Sequence, residues 1–323
     1  MFKLNKINSK LIFFTCLFIF LCFSTAEKAD AFPEFDFDGK ADFGVFRPSE
    51  RTWHSYSSES ETSTALKWGF ATDVLVPADY DGDGLTDITV WRPSNGVWYV
   101  NRSRDNKLFA IQWGMTSVYA FGSILDVPVP GDYDGDGLAD FAVWRPETGI
   151  WYVLQSSDGY NPVHAKYFQW GRLGDVPVPA DYDGDGRTDI AVFRSTGNRW
   201  YIQPSKIGQP YSVNFGQAGE DLLVPADYTG DKKADLAVYR NGTWIIRRSE
   251  NNQSTFQQFG LDTDKPVPAD YNRDGQIDIA VYRNGTWYIL EGSTQRFSVF
   301  YYGSADDIPL AWLNVKESIV AVP

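Results

Sequence analysis

The stretch DYDGDGLADFAVWRP, residues 132–146, decides the fold because close copies of it recur along the chain. The copies are DYDGDGLTDITVWRP from Asp79, DYDGDGRTDIAVFRS from Asp181, DYTGDKKADLAVYRN from Asp227, DYNRDGQIDIAVYRN from Asp270 and EFDFDGKADFGVFRP from Glu34. In chain order, their first residues are 45, 53, 49, 46 and 43 positions apart. A period of about 40–50 residues is typical of the blades of a β-propeller.

Each repeat contains four strand-like pieces separated by turn signals. In the third repeat the pieces are FAVWRP at 141–146, IWYVLQ at 150–155, KYFQWG at 166–171 and DVPVPAD at 175–181. Strands that start with Trp follow the turn pairs Asn95-Gly96, Thr148-Gly149, Asn241-Gly242 and Asn284-Gly285. Asn-Gly between apolar runs is a strong hairpin signal. We therefore predict an all-β propeller of four-stranded blades.

Alternating prolines mark one strand as a sheet edge in three of the repeats. Pro128 and Pro130 remove N–H groups from the same side of a strand, and Pro177 with Pro179 and Pro266 with Pro268 repeat the pattern. We place this strand innermost, beside the central channel. Residues 307–310 repeat the pattern without an acidic loop after it. The sequence therefore predicts six blades over residues 34–316, closed by a strand within residues 304–316 that completes the first blade.

The repeats begin with nine-residue acidic loops that predict calcium sites. Calcium takes six to eight oxygen ligands, and a glycine at position 6 allows the sharp turn that wraps a short loop round the ion. Carboxylates fill positions 1, 3, 5 and 9 of three loops: Asp79, Asp81, Asp83 and Asp87; Asp132, Asp134, Asp136 and Asp140; Asp181, Asp183, Asp185 and Asp189. The alternative is that these are Asp-Gly turns without an ion, but such crowding of carboxylates is costly without a cation.

The other three loops depart from this pattern. Two are still expected to bind calcium: Glu34, Asp36, Asp38 and Asp42, where Phe37 replaces a glycine, and Asp270, Asn272, Asp274 and Asp278. We expect a weak site at Asp227, Thr229, Asp231 and Asp235, because Lys232 replaces the turn glycine and adds a positive charge. The sequence thus predicts about five calcium ions, which stiffen the fold and take no part in catalysis.

The repeats resemble the FG-GAP or VCBS repeats of integrin α-chain propellers and of bacterial surface proteins, over roughly residues 34–314. Aromatic-glycine pairs correspond to the FG position: Trp68-Gly69, Trp113-Gly114, Trp170-Gly171, Phe215-Gly216, Phe259-Gly260 and Tyr302-Gly303. The resemblance implies calcium loops between the first and second strands of each blade. It also implies a role in adhesion, matrix contact or sugar binding, because some propeller lectins use similar repeats.

Two further columns of equivalent residues allow a structural or a functional interpretation. Tryptophans that could stack on sugars, but which we expect to pack between blades, are Trp53, Trp98, Trp151, Trp200, Trp244 and Trp287. The arginines Arg47, Arg92, Arg145, Arg194, Arg240 and Arg283 are matched by Asp73, Asp126, Asp175, Asp221, Asp264 and Asp307. We expect a repeated ion pair or loop clamp from this match, in preference to a ligand site.

The N-terminal residues and the charge indicate an exported acidic protein. Residues 1–26 combine three lysines, an apolar run and a small-residue cleavage site near Ala26, with Ala31 as a second possibility. They are typical of a secretory signal peptide, followed by a linker at 27–33. The C-terminal tail is 317–323. The net charge of −13 argues against nucleic-acid binding, and we expect no insertion into a membrane.

These features favour a secreted or cell-surface binding module over an enzyme. The preferred ligand is a carbohydrate or a cell-surface or matrix component, as for a lectin or an adhesin. A protein-interaction platform and a carbohydrate-active hydrolase or lyase are the alternatives. His54 and His164 occupy non-equivalent places, so no histidine cluster or repeated acid/base is visible, and no catalytic residue is assigned. The sequence identifies no ligand-binding residues and no oligomeric state.

Overall fold

The structure, a computed structural model, describes residues 33–115, 126–206 and 208–311. In these ranges the strands form six antiparallel sheets of four strands each, which we call blades 1 to 6. Blade 1 contains β1 (Phe43–Arg47), β2 (Thr52–Ser57), β3 (Thr62–Lys67) and β24 (Ile308–Pro309). Blade 2 contains β4 (Val74–Leu75), β5 (Ile88–Arg92), β6 (Val97–Asn101) and β7 (Leu108–Gln112). Blade 3 contains β8 (Val127–Pro128), β9 (Phe141–Arg145), β10 (Ile150–Leu154) and β11 (Lys166–Gln169).

The remaining three blades repeat the same order of strands. Blade 4 contains β12 (Asp175–Pro177), β13 (Ile190–Arg194), β14 (Arg199–Gln203) and β15 (Tyr211–Asn214). Blade 5 contains β16 (Leu222–Leu223), β17 (Leu236–Arg240), β18 (Thr243–Arg247) and β19 (Ser254–Gln258). Blade 6 contains β20 (Lys265–Pro266), β21 (Ile279–Arg283), β22 (Thr286–Leu290) and β23 (Phe297–Tyr301). The predicted six-bladed, all-β propeller is confirmed, while the predicted signal peptide lies outside the described residues.

The predicted strands and turns occur, with shorter strands than the sequence pattern indicated. The first strand of each blade is two or three residues long and is terminal in its sheet. It contains a proline in blades 1, 3, 4 and 6, as expected for an edge strand that lacks N–H donors. At Asn241-Gly242 and Asn284-Gly285 both residues have positive φ, between 48° and 82°, and each pair forms a two-residue hairpin loop. The twist of such turns matches the twist of the flanking strands.

The last described strand closes the ring by joining the first sheet. Strand β24 pairs with β1 in antiparallel register, with Val45 opposite Pro309 and Phe46 opposite Ile308. The N–H of Leu310 donates to the carbonyl of Gly44 at 2.8 Å, and the Leu310 side chain is buried. The predicted closure is therefore confirmed for residues 308–310, and residues 312–316 lie outside the described part.

The core lies between neighbouring blades. Each of six buried clusters joins one blade to the next: Phe141 and Leu154 of blade 3, for example, pack against Trp98 of blade 2. The cluster around Val45 and Phe43 contains Trp287 of blade 6, so the contact also runs from the last blade to the first. Apolar burial thus links the six blades into a closed ring.

The tryptophan column belongs to this core, as predicted. Its six indoles are at most 2% exposed, and each ring N–H donates to the carbonyl of the aromatic residue in its own blade's aromatic-glycine pair, at 2.8–3.1 Å. These side chains have no face available for a sugar. They hold the end of the fourth strand against the third.

Helix is limited, in the described ranges, to the single-turn 3-10 helices Ser156–Asp158 and Pro162–His164. Neither is long and apolar enough to cross a membrane.

Candidate metal centres

The acidic loops lie where the resemblance implied, between the first and second strands of each blade. In blade 3 the loop 132–140 connects β8 to β9, and in blade 1 the loop 34–42 precedes β1, because that blade's first strand comes from the C-terminal end. Isolated bridges such as Gly131 with Asp140 close the base of each loop in blades 2 to 6. The sheet therefore fixes both ends of the loop.

The first carboxylate of each loop organises the turn. In blade 2, Asp79 Oδ1 accepts the N–H of Gly82 at 2.7 Å, and Oδ2 accepts the N–H of Gly84 at 2.8 Å. Burial raises the pKa of Asp79, and the nearby carboxylates of Asp83 and Asp81 add to the rise. The loop thus folds round a charge that is costly to bury without a counter-ion.

Two residues of each loop take the left-handed conformation, at positions 4 and 6. Gly137 at position 6 has φ of 89°, which suits glycine. Lys232 occupies position 6 in blade 5 with φ of 68°. The lysine that replaces the turn glycine therefore lies at a strained backbone position. Phe37 and Arg273 have similarly positive φ at position 4 of their loops.

The carboxylate at position 9 is fully buried in all six loops. In blade 3, Asp140 Oδ1 accepts the N–H of Ser156 at 2.7 Å and Oδ2 accepts the N–H of Tyr133 at 2.9 Å. Desolvation raises the pKa of Asp140 to about 7, and that of Asp87 in blade 2 to about 6. A cation beside these oxygens would favour the charged form and offset the cost of burial.

A serine column, which the sequence analysis missed, supports the loops from the hairpin between the third and fourth strands. Ser156 Oγ donates to Asp136 at 2.9 Å, while its backbone N–H holds Asp140. The same pair of contacts is made by Ser58, Ser103, Ser205 and Ser249. In blade 6, Gly292 supplies the N–H and Ser293 the hydroxyl. The available signal was a serine 24 residues after position 1 of the loop in blades 1 to 4, and 22 or 23 residues after it in blades 5 and 6.

Four of the predicted sets bring carboxylate oxygens within 4.8 Å of one another. The groups are Glu34, Asp36 and Asp42; Asp79, Asp81 and Asp87; Asp132, Asp134 and Asp136; Asp181, Asp183 and Asp189. In the loops of blades 5 and 6, Thr229 and Asn272 replace the carboxylate at position 3. The Asn272 amide donates to Asp274 at 2.9 Å. These two loops gather fewer carboxylates than the other four.

Unpartnered buried oxygens indicate that these clusters fit a cation. Asp81 Oδ2 and Asp183 Oδ1 are buried and accept no hydrogen bond within the described part of the chain. Both belong to position 3 of a loop whose other carboxylates already accept backbone N–H groups. Carboxylate oxygens in a short flexible loop are the donor set that calcium prefers. The residues present therefore fit a calcium ion.

Backbone hydrogen bonds join the six loops to one another. The N–H at position 8 of each loop donates to the position 1 carbonyl of the preceding blade's loop, at 2.6–2.8 Å. The pairs are Thr86 with Glu34, Ala139 with Asp79, Thr188 with Asp132, Ala234 with Asp181, Ile277 with Asp227 and Ala41 with Asp270. We call this closed set the loop ring. An ion at one loop would therefore hold a residue whose carbonyl accepts a hydrogen bond from the next loop.

The arginine and aspartate columns form the predicted clamps. Arg145 Nε donates to Asp126 Oδ1 at 2.8 Å and Nη2 to Oδ2 at 2.9 Å, and Asp126 also accepts the N–H of Met115 after the aromatic-glycine pair. The other five pairs are Arg47 with Asp307, Arg92 with Asp73, Arg194 with Asp175, Arg240 with Asp221 and Arg283 with Asp264. Each clamp fixes the crossover between blades, which confirms the structural interpretation.

Comparison with known proteins agrees with the geometry. The FG-GAP-like repeat family matches residues 79–143, 132–192 and 181–238. No curated protein sequence matches the chain. Among solved structures, TolB from Acinetobacter baumannii has a TM-score of 0.57 at 13% identity, over 83% of this chain and 65% of that one.

A lectin is also similar in fold. The Agrocybe aegerita lectin, solved for its recognition of non-reducing terminal N-acetylglucosamine, has a TM-score of 0.53 at 17% identity, over 82% of this chain and 79% of that one. Likeness at such identity concerns the fold alone. The chain is thus a six-bladed β-propeller that carries FG-GAP-like repeats.

Proposed function

We propose that this chain is an exported, calcium-stabilised binding module that recognises carbohydrate or cell-surface and matrix ligands. The observation that carries the proposal is the set of in-register acidic loops, with unpartnered buried oxygens at Asp81 and Asp183, on a closed ring of blades. A repeated ion at equivalent points suits a scaffold, whereas a catalytic ion is needed once, in a cleft with an open coordination position.

Calcium is the proposed ion, at about five sites. Carboxylate, amide and carbonyl oxygens suit calcium, and the loop length allows several of them to meet round one ion. The loops of blades 1 to 4 each gather at least three carboxylates, and the blade 6 loop replaces one by the Asn272 amide. The blade 5 loop is proposed as the weak site because of Lys232.

Support for a carbohydrate ligand comes from the fold and the charge. The Agrocybe aegerita lectin has a similar propeller and binds a terminal sugar. A net charge of −13 disfavours nucleic acid and anionic membranes as partners. We propose binding in preference to catalysis for two reasons. The loop carboxylates are held by backbone N–H groups, and the two histidines do not share a site, since His54 lies in blade 1 and His164 in the blade 3 hairpin.

A protein-interaction platform is the second candidate, favoured by the apolar outer edge of blade 6. In β23, Phe297, Val299 and Tyr301 are 56%, 37% and 78% exposed on one face of the strand. An exposed strand of this kind can pair with a strand of another chain.

A glycan array, probed with the mature protein in calcium and again in EDTA, tests the proposal. We expect the protein to bind defined glycans in calcium and to lose this binding in EDTA. The matched control is Asp231→Ala, which alters only the weak loop and should keep the calcium-dependent pattern. A blank array together with calcium-dependent capture of an extracellular protein would favour the interaction platform. Turnover of a labelled polysaccharide would contradict a binding module.

A further inference from the structure

The cleft between blades 4 and 5 differs from its counterparts round the ring. Tyr182 and Tyr211 of blade 4 face Lys233, Arg247, Arg248 and Asn252 of blade 5 across a cavity of about 130 Å³. The cavity is open to solvent on one side, where Tyr211 is 42% exposed. A closed cavity of about 150 Å³ accommodates a benzene ring, so this smaller, open cleft encloses part of a six-membered ring and leaves the rest toward solvent.

A longer hairpin fills the equivalent place between blades 2 and 3. There the connection from β10 to β11 carries Tyr160, whose ring lies 4.6 Å from Phe141 and whose hydroxyl donates to the carbonyl of Tyr80 at 2.8 Å. Phe109 is the counterpart of Tyr211, and Phe141 is the counterpart of Leu236. In blade 5 the connection from β18 to β19 spans only residues 248–253 and supplies no ring. The cleft is therefore open because this hairpin is short.

Aromatic rings also fill the equivalent place between blades 6 and 1. Phe43 stacks on Phe300 at 4.0 Å and on Tyr271 at 5.6 Å, with Tyr56 against Phe300. The cleft between blades 4 and 5 thus keeps two tyrosines and replaces the filling rings by cationic side chains.

Three cations line this cleft in a protein of net charge −13. In the described part of the chain, Arg247 and Lys233 form no ion pair with a carboxylate, and Arg248 has one exposed contact, with Glu250 at 3.5 Å. The cations belong to the blade with Lys232 in its loop, the loop that departs furthest from the acidic pattern. Blade 5 has therefore exchanged acidic character for basic character beside this cleft.

The lining suits a sugar that carries a carboxylate. Arginine binds carboxylate through two parallel hydrogen bonds, and the flat face of a tyrosine packs against the C–H face of a sugar ring. The Asn252 amide offers an NH₂ group at the same cleft for a sugar hydroxyl, whereas the Ser249 hydroxyl already donates to Asp231. An acidic peptide would use the cations but not the tyrosine face, so the lining favours the sugar.

We propose that the cleft between blades 4 and 5 binds a hexuronate residue of an acidic polysaccharide, with Arg247 and Arg248 on its carboxylate and Tyr211 against its ring. This inference rests on the proposed binding function and names the class of ligand for one site. Calcium in the neighbouring loop of blade 4 would neutralise Asp183 and Asp189, which lie near Tyr211. Bound calcium should therefore strengthen the attraction of the cleft for an anion.

Calorimetric titration with an oligoglucuronate tests the proposal. The comparison ligands are the neutral glucose oligosaccharide of the same linkage and a polyglutamate peptide. We expect the oligoglucuronate alone to bind. Its affinity should fall ~10-fold or more in Arg247→Gln and in Arg248→Gln, which each remove a charge-assisted hydrogen bond, and should also fall in Tyr211→Ala, which removes the ring face. The matched control is Arg296→Gln, an exposed arginine in the corresponding hairpin of blade 6. Unchanged melting temperatures would show that the variants fold.

Several results would overturn the inference. Equal loss of affinity in Arg296→Gln would show that general charge, and not the cleft, holds the ligand. Tighter binding of polyglutamate would replace the sugar by an acidic peptide. Neutral glycans that bind the wild type and Arg247→Gln equally would refute the uronate site and leave the proposed binding module intact. If no glycan binds in either assay, both the uronate site and the carbohydrate ligand of the proposed function are refuted.

Discussion

At the residue scale, the acidic loops use the same few groups for several purposes. At position 1, the side-chain carboxylate accepts the backbone N–H groups of its own turn, while the backbone carbonyl of the same residue accepts an N–H of the next loop. Asp136 at position 5 accepts from Ser156 and from its own loop at Leu138. Each carboxylate therefore has structural partners without an ion, and an ion would add a further contact to oxygens that remain open.

Substitutions at position 5 separate the calcium contribution from these hydrogen bonds. Asp136 and Asp231 both accept a serine hydroxyl and a backbone N–H. In excess calcium, Asp136→Ala should lower the melting temperature more than Asp231→Ala, because a site at a hundredfold excess over its dissociation constant contributes about 2.7 kcal/mol. Asp83→Ala should behave like Asp136→Ala.

Thermal unfolding of these variants in EDTA is the control. Without calcium the variants should lie close together, since the hydrogen bonds that they lose are matched. Equal costs of all three substitutions in calcium would mean that the blade 5 loop binds as well as the others, or that none binds.

At the element scale, the sequence predicted what the repeat encodes. The repeat period and the proline spacing predicted the six blades, the edge strands and the closing strand. The recurrence of tryptophan at one strand position predicted that Trp151 is buried. The loop ring could not be predicted, because position 8 is Ala, Thr or Ile and any of these supplies an N–H. The open cleft at Tyr211 could not be predicted either. It depends on how a hairpin of one blade packs against the neighbouring blade, and local sequence patterns do not indicate such contacts.

The closing strand gives a prediction for the element that joins the two ends of the chain. A chain that ends at Gly303 loses the pairing of β24 with β1, the clamp from Asp307 to Arg47 and the buried Leu310 side chain. Loss of a buried leucine side chain alone costs about 2–5 kcal/mol. We therefore expect a sharp fall in melting temperature and aggregation through the exposed edge of β1.

A chain that ends at Ala311 is the matched control, because it keeps all three features. Its melting temperature should stay close to that of the full chain. A Gly303 truncation that melts like the Ala311 truncation would refute closure by β24.

At the scale of the whole molecule, the six acidic loops make stability depend on pH in opposite directions with and without calcium. Burial raises the pKa of Asp42, Asp140 and Asp278 to about 7 and that of Asp87, Asp189 and Asp235 to about 6. An unfolded aspartate has a pKa of about 3.9, so between these values the folded state binds more protons than the unfolded state. In EDTA, stability should therefore rise as the pH falls from about 8 to about 5.

In calcium the trend should reverse, because protons compete with the ion for the same oxygens. Denaturant unfolding across this pH range, in EDTA and in calcium, measures both slopes. Asp140→Asn should flatten the slope in EDTA, since it removes one of the six carboxylates. Parallel slopes in the two conditions would show that the buried carboxylates do not hold the ion.

Ions held by the acidic loops should stabilise the whole ring, because the loop ring and the interblade core join every loop to its neighbours. The most direct test is the thermal unfolding of the mature protein in EDTA and after calcium is restored in excess. We expect one cooperative transition, which EDTA moves to a lower temperature and calcium moves back. A melting temperature that is the same in EDTA and in calcium would contradict it.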